Sequence, residues 1–245
     1  MSVNPSNIPE RKNKSRILRD KNARSRPALF LRILGSDENG YGQAAYFDLA
    51  FIAFLDFLLA VTALLLLLPA LMILALVIRI ESPGPILFKQ KRVGQFGREF
   101  WFYKFRSMIV DAENMQAALH CCNQASGLLF KMHNDPRVTK FGRVIRKYSL
   151  DELPQLVNVL KGDMSIVGPR PALPAEAARY STEQLRRLEI KPGITGLWQV
   201  SGRSDLSFER AIQLDIEYVE RRSACLYVII LIRTIPAVIA GTGAY

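Results

Sequence analysis

At 245 residues the chain is long enough for one or two domains and a sizeable buried core. Its 49% hydrophobic content excludes a wholly disordered polypeptide. With 33 Lys+Arg against 22 Asp+Glu, the formal charge of +11 calls for an anionic partner: nucleic acid, an acidic membrane surface or a phosphorylated substrate.

Residues 1–46 read as a basic, mostly disordered arm suited to an anionic lipid surface, with nine Lys/Arg between Arg11 and Arg32. Gly40-Tyr41-Gly42 and Ala45 formally match a dinucleotide-binding pattern, but no strand precedes them, so they are not read as such a site. Residues 47–81 form the membrane element. From Phe57 to Ile78 there is no charged residue across 22 positions, and a bilayer core needs roughly 20 residues of helix. A buried core helix is the plainer alternative, yet such helices seldom run apolar on every face for this length. Basic residues flank the run on both sides, where a spanning helix has its positive charge biased to one. Pro69 lies inside, removing one helical hydrogen bond. A helix that bends at Pro69 and returns to the same face satisfies both observations; a kinked span is the alternative.

Residues 82–245 make up the remaining domain, which opens with a hard turn at Ser82-Pro83-Gly84-Pro85. Strands are expected at Ile86–Phe88 and Glu99–Phe105, joined as a small hairpin. Helices are expected over 107–122, over Val138–Tyr148 with Phe141, Val144, Ile145 and Tyr148 on one face, over Leu153–Leu160 closed by Lys161-Gly162, and over Ser207–Arg222. Leu226–Ile239 is apolar but for Arg233 and Thr234, and suits burial or the membrane interface. Cys121, Cys122 and Cys225 are too few for a disulfide framework and read as reduced thiols.

The chemistry concentrates between residues 137 and 203. Ser149-x-x-Glu152 has the form of a capping box, so the bland reading of Asp151-Glu152 is a helix start; Pro154 also allows Asp151 to be the cap. Either way two adjacent carboxylates project at a helix N-terminus, where backbone N–H groups favour an anion. Such a pair beside a phosphorylated substrate usually holds a divalent cation, and a carboxylate is also a competent nucleophile at phosphorus. Arg137, Lys140, Arg143, Arg146 and Lys147 precede the pair and singly would read as a solvated basic face. Arg170 is different. Between Pro169 and Pro171 its backbone is held extended, and a stiffly placed guanidinium suits bidentate phosphate recognition. Gly202-Arg203 permits close ligand approach or makes a plain turn.

Three stretches carry a resemblance: YKFRSM (Tyr103–Met108), the run from Asp135 to Pro171 containing SLDELPQL and GPRP, and KPGITGLWQVSGR (Lys191–Arg203). Together, in order and spacing, they resemble the bacterial sugar transferase family, the monotopic phosphoglycosyl transferases of exopolysaccharide initiation. The resemblance implies an α-rich α/β protein with a re-entrant, proline-broken membrane helix, a small β-hairpin and interfacial amphipathic helices. It implies transfer of a sugar-1-phosphate, from a UDP-sugar carrying a hexose such as galactose or glucose, onto undecaprenyl phosphate with release of UMP. The implied route is ping-pong. Asp151 matches the family's aspartate nucleophile and Glu152 its Mg2+-binding partner. Arg146 and Arg170 match phosphate-gripping arginines, and Arg203 matches a residue of the nucleotide-sugar side. The implied setting is the bacterial cytoplasmic (inner) membrane, with the active site on the cytosolic face.

The chain departs from the family in two places. The Lys-Arg pair often found before the membrane helix is replaced by Ala53-Phe54 ahead of Asp56, and the usual Ser-Pro break is Leu68-Pro69. Larger members carry extra spanning helices and a soluble domain, for which 245 residues are expected to leave no room. Alternatives from other classes are a glycosyltransferase releasing UDP and a non-catalytic membrane-surface binding protein. A nucleic-acid binder suits the charge, but the apolar run and the lack of a reading motif oppose it.

Overall fold

The computed structural model describes residues 43–240 apart from 116–117, 120–131 and 133. The N-terminal arm up to residue 42, Cys121, Cys122 and residues 241–245 lie outside the described residues.

Helix α1 (Gln43–Glu81) runs 39 residues and has Pro69 inside it, with helical assignment unbroken across the proline. It is long and apolar enough to cross a membrane. Before the proline, Ile52 and Ala60 are buried in two separate apolar clusters of the rest of the chain; after it, Ile78 is buried in a third with Phe105 and Ile145. Between these anchor points Leu65, Leu66 and Leu68 face outward, Leu66 being 74% exposed. Polar bonds secure both limbs. Asp56 Oδ1 accepts from Ile166 N at 2.7 Å, and Glu81 Oε1 accepts from Phe141 N at 2.8 Å.

Strands β1 (Leu87–Val93) and β2 (Glu99–Phe105) pair antiparallel from Leu87↔Phe105 to Val93↔Glu99. β1 extends well beyond the expected Ile86–Phe88. Its Lys-Gln-Lys-Arg run is accommodated because Lys89 and Lys91 place their ammonium groups over the cross-strand rings of Tyr103 and Trp101, at 5.9 and 5.7 Å. One face puts Phe100 and Phe102 in the core, and Phe105, on the other face, is buried with Ile78 and Ile145.

The helix expected over 107–122 does not form in 107–115, which is bridge and turn; 116–117 and 120–122 lie outside the described residues. Extended pairing displaces it: Ile109 N donates to Arg137 O at 2.9 Å, Thr139 N donates to Ser107 O at 3.1 Å, and Asp111 takes a left-handed φ of 67°. Helix α2 (Lys140–Lys147) follows, capped by Thr139 Oγ1, which accepts from Gly142 N at 2.9 Å. Position 142 must be glycine, because a Cβ there would lie 2.1 Å from Ser107 O.

A 3-10 segment (Leu150–Gln155) leads into α3 (Leu156–Leu160), which packs against α1 through Leu156 and Val159. Gly162 ends it with φ 76°, as the Lys-Gly pair led one to expect. Strand β3 (Ser165–Val167) lies parallel to β4 (Gly193–Thr195). Between them come the short helices α4 (Pro174–Ala177) and α5 (Thr182–Leu185). The chain just after β3 comes so close to β4 that a Cβ on Gly193 would meet Gly168 N at 2.0 Å. Helix α6 (Leu197–Val200), α7 (Phe208–Arg221, capped by Ser207) and α8 (Ala224–Ala240) complete the described chain. The result is helix-rich with two small two-stranded sheets.

Candidate active site

Tyr148 ends α2, and Ser149 adopts a left-handed conformation, φ 54°. That single residue reverses the chain and starts the 3-10 segment at Leu150. Neither capping expectation holds, since the Ser149 side chain makes no cap bond and Asp151 sits inside the segment rather than before it. Glu152 does not reach back to Ser149. Its Oε1 instead accepts from Lys104 Nζ at 2.7 Å.

Lys104, at the end of β2, sits between the two acids, with its Nζ also 3.6 Å from Asp151 Oδ2. Its ammonium lies 5.6 Å from the Phe102 ring. The Asp151 side chain is 8% exposed, that of Glu152 28%. Burial pushes the Asp151 carboxyl above the ordinary carboxylate range. Lys104 opposes that shift, Glu152 adds to it, and Arg146 opposes it.

These groups line a cavity of about 380 Å³. The cavity gathers Asp151, Glu152, Arg146 and Arg203, the last from the turn after α6 with φ 50°. Burial lowers the Arg203 guanidinium from its ordinary value, and Glu152 opposes the change. Lys104, Trp198, Gln199 and Thr195 also line it, and so do Thr234 and Val238 of α8. An adjacent carboxylate pair facing three cations suits a substrate whose phosphates need charge neutralisation near a nucleophile.

Arg170 is not among the cavity-lining residues. Its loop is held by two other arginines through main-chain carbonyls: Arg187 Nη2 donates to Arg170 O at 2.9 Å, and Arg92 Nη1 donates to Pro171 O at 3.0 Å. Arg187 also donates to the Tyr180 hydroxyl at 2.7 Å and to Asp215. Burial pushes Arg92 down to about 10, and the charge of nearby Arg170 lowers it further while Glu152 opposes. Arg92 and Arg170 are thus like charges within electrostatic reach of each other, and the carboxylate of Glu176, ahead of that of Glu152, offsets their repulsion.

Lys104 and Arg92 were not singled out in the sequence as site residues. Lys104 stands in the YKFRSM stretch, so a signal was present; Arg92 lies in a strand whose alternation alone gave no reason to choose it over Lys91.

Among the described residues no group of three or more His, Cys, Asp or Glu side chains comes together to hold a metal. Two carboxylates nonetheless fit magnesium, which takes one or two carboxylates and completes its shell with water and substrate phosphate. The Lys104 ammonium between them marks a place where positive charge is already accommodated.

The sequence pattern of the family described as bacterial sugar transferase matches residues 47–241. The chain is 52% identical over 165 residues to the galactosyl transferase CpsE of Streptococcus agalactiae, covering 67% of this chain and 37% of that protein. It is 45% identical over 194 residues to the UDP-galactose-lipid carrier transferase of Erwinia amylovora, covering 78% and 40%. It is 45% identical over 166 residues to the undecaprenyl-phosphate galactose phosphotransferase of Salmonella typhimurium, covering 66% and 35%. The chain therefore spans well under half the length of these three relatives.

Proposed function

Because the chain belongs to the bacterial sugar transferase family, we propose that it transfers a sugar-1-phosphate from a UDP-sugar to undecaprenyl phosphate, releasing UMP. The sugar is a hexose such as galactose or glucose, and the product feeds exopolysaccharide assembly. The observation that carries this reading is the Asp151–Glu152 pair, one carboxylate buried and one half-buried, on a cavity shared with Lys104, Arg146 and Arg203.

In the proposed mechanism Asp151 Oδ attacks the β-phosphorus of the donor. The bond from that phosphorus to the bridging oxygen breaks, and UMP leaves with the electron pair. The phosphosugar is then an acyl phosphate on Asp151. A phosphate oxygen of the acceptor attacks the same phosphorus, the Asp151–phosphorus bond breaks, and the carboxylate is regenerated. No net proton is required. Lys104 offsets the repulsion between the two carboxylates, and Arg146 and Arg203 bind donor phosphate, with Arg170 and Arg92 a second cationic pair near Glu152. Glu152 would hold Mg2+, which supplies charge neutralisation on phosphate oxygens.

The membrane element is proposed to be re-entrant. Residues on both sides of Pro69 are buried against the same body, and Asp56 and Glu81, on opposite sides of the proline, both accept hydrogen bonds from it. A helix crossing the bilayer would place one of those limbs on the far side, where a body carrying charged side chains cannot follow. The monotopic arrangement would keep the catalytic body on one face of the membrane, and we take this to be the cytosolic face of the cytoplasmic membrane, level with the acceptor's phosphate. The N-terminal arm and the basic flanks of α1 add attraction to anionic lipid.

The test is nucleotide identity. Purified protein in nanodiscs with magnesium, undecaprenyl phosphate and a panel of UDP-sugars should release UMP with one donor. UDP release would make the protein a glycosyltransferase, and Asp151→Asn turning over normally would remove the nucleophile.

A further inference from the structure

Helix α8 has two faces of different character. Tyr227 and Ile230 are fully buried against Ile52 of α1, and Thr234 and Val238 continue that side of the helix at helical spacing. Those last two residues line the catalytic cavity. The opposite side exposes Val228, Ile229, Ile232, Ile235 and Ile239, the last at 70%. The first limb of α1, which packs with α8 around Ile52, also exposes Phe47, Phe51 and Phe54. An apolar surface built by two adjacent helices marks contact with hydrocarbon or a partner rather than with water. α8 packs against α1, which is long and apolar enough to cross a membrane, and that neighbour assigns the exposed face to the bilayer.

Val238 is where the two environments meet. It faces the cavity, while Ile235, three residues earlier on a neighbouring stripe, and Ile239, the next residue, face outward. An apolar track therefore leads from the outer surface of α8 to the cavity that holds Asp151. Thr234 fixes this wall. Its hydroxyl lies 2.8 Å from Thr195 Oγ1 on β4 and 2.8 Å from Ile230 O, so α8 is pinned to the strand at the level of the site.

We propose that α8 forms the acceptor subsite: an isoprenoid phosphate approaches from the bilayer along the Ile239–Ile235 face, and its first isoprene units pack on Val238 while its phosphate reaches Asp151. The inference rests on the phosphosugar-transfer reading above. Of the two substrates, only the acceptor joins a phosphate to an aliphatic chain, and an apolar wall that continues into the membrane matches that chemistry. The donor, a water-soluble nucleotide sugar, has no use for it.

The test separates the two substrates kinetically. Full-length protein in nanodiscs is assayed for nucleotide release while undecaprenyl phosphate and UDP-sugar are varied in turn, in wild type, Val238→Ala and Val238→Asn. Val238→Asn should raise the KM for undecaprenyl phosphate about tenfold, with Val238→Ala intermediate and the KM for UDP-sugar within about twofold of wild type. A benzophenone placed on the prenyl chain near the phosphate should label wild-type residues 224–240, a readout that needs no variant to fold. Active wild-type protein labelled only outside α8, or a Val238→Asn defect confined to the KM for UDP-sugar, would overturn the subsite while leaving the reaction intact. Wild-type protein that releases no UMP with any donor would overturn the underlying reading instead.

Discussion

The Tyr227 hydroxyl of α8 donates to Asp56 Oδ1 of α1 at 2.7 Å, joining residues 171 positions apart. The same oxygen accepts from Ile166 N of β3 in the parallel strand pair. One buried carboxylate thus ties together α1, the C-terminal apolar helix and β3, whose partner β4 lines the cavity. Asp56→Ala would strand a hydroxyl and an N–H at once, and should cost about 3 kcal/mol of stability. Tyr227→Phe, which leaves the Ile166 bond in place, should cost about 1 kcal/mol. Denaturation midpoints in a fixed detergent decide this; equal losses in the two variants would refute the shared-acceptor account.

Lys104 separates two acids that would otherwise repel each other. Lys104→Met should leave the hairpin folded, because the stem of the side chain is preserved. Turnover should fall by about 10²-fold, the scale seen when one charge-stabilising donor is removed from a transferring group. Turnover within a factor of two of wild type, with normal folding, would show that Lys104 only fills space.

The same geometry sets a pH dependence. Burial raises the Asp151 carboxyl, so in the metal-free protein it holds its proton to higher pH than an ordinary carboxylate of about 4. In the proposed mechanism the carboxylate is the nucleophile, so the fraction able to attack falls as pH drops through that raised value. Lys104 is the largest of the opposing influences, and Lys104→Met should therefore move the titration further up. A carbon-13 chemical-shift titration of Asp151 in both proteins reads this directly. A downward move on losing Lys104 would contradict the assignment.

Arg187 and Asp215 form a buried pair that also braces the Arg170 loop through its carbonyl. Removing the acid leaves a guanidinium buried without its counter-charge. Asp215→Ala should cost about 3–5 kcal/mol, measured by chemical denaturation. The double variant Asp215→Leu with Arg187→Met should recover much of that loss, since an apolar pair of similar volume is often tolerated where a broken ion pair is not. No recovery would mean that the hydrogen bonds to Arg170 O and the Tyr180 hydroxyl matter more than the charge.

Local pattern made α7 legible and α2 in part. Ile145 is fully buried, but Val144 and Tyr148, expected on the same face, are exposed, and Ser207 caps α7 through Arg210 N. The hairpin and the Lys-Gly stop after α3 follow from equally local rules. Among the proposed site residues, the adjacency of Asp151 and Glu152 and the five-residue spacing of Arg146 are local too, and the structure brings all three to one cavity with Arg203.

What was not legible depends on pairing across the chain. β3 and β4 are three residues each, too short to show periodicity, and their register depends on the close approach of Gly168 and Gly193. Lys104 reaches Glu152 across 48 positions because the hairpin folds over the 3-10 segment. The capping box at Ser149 does not form because that residue is left-handed, whereas a side-chain cap needs extended backbone there.

The central claim is that Asp151 carries the phosphosugar covalently. The most direct measurement is the intact mass of the protein after incubation with magnesium and its UDP-sugar donor, with acceptor omitted. A gain equal to one hexose phosphate, mapped to Asp151, absent in Asp151→Asn and discharged by undecaprenyl phosphate, is the expected result. An unmodified mass during sustained turnover, or the same adduct in Asp151→Asn, would contradict it.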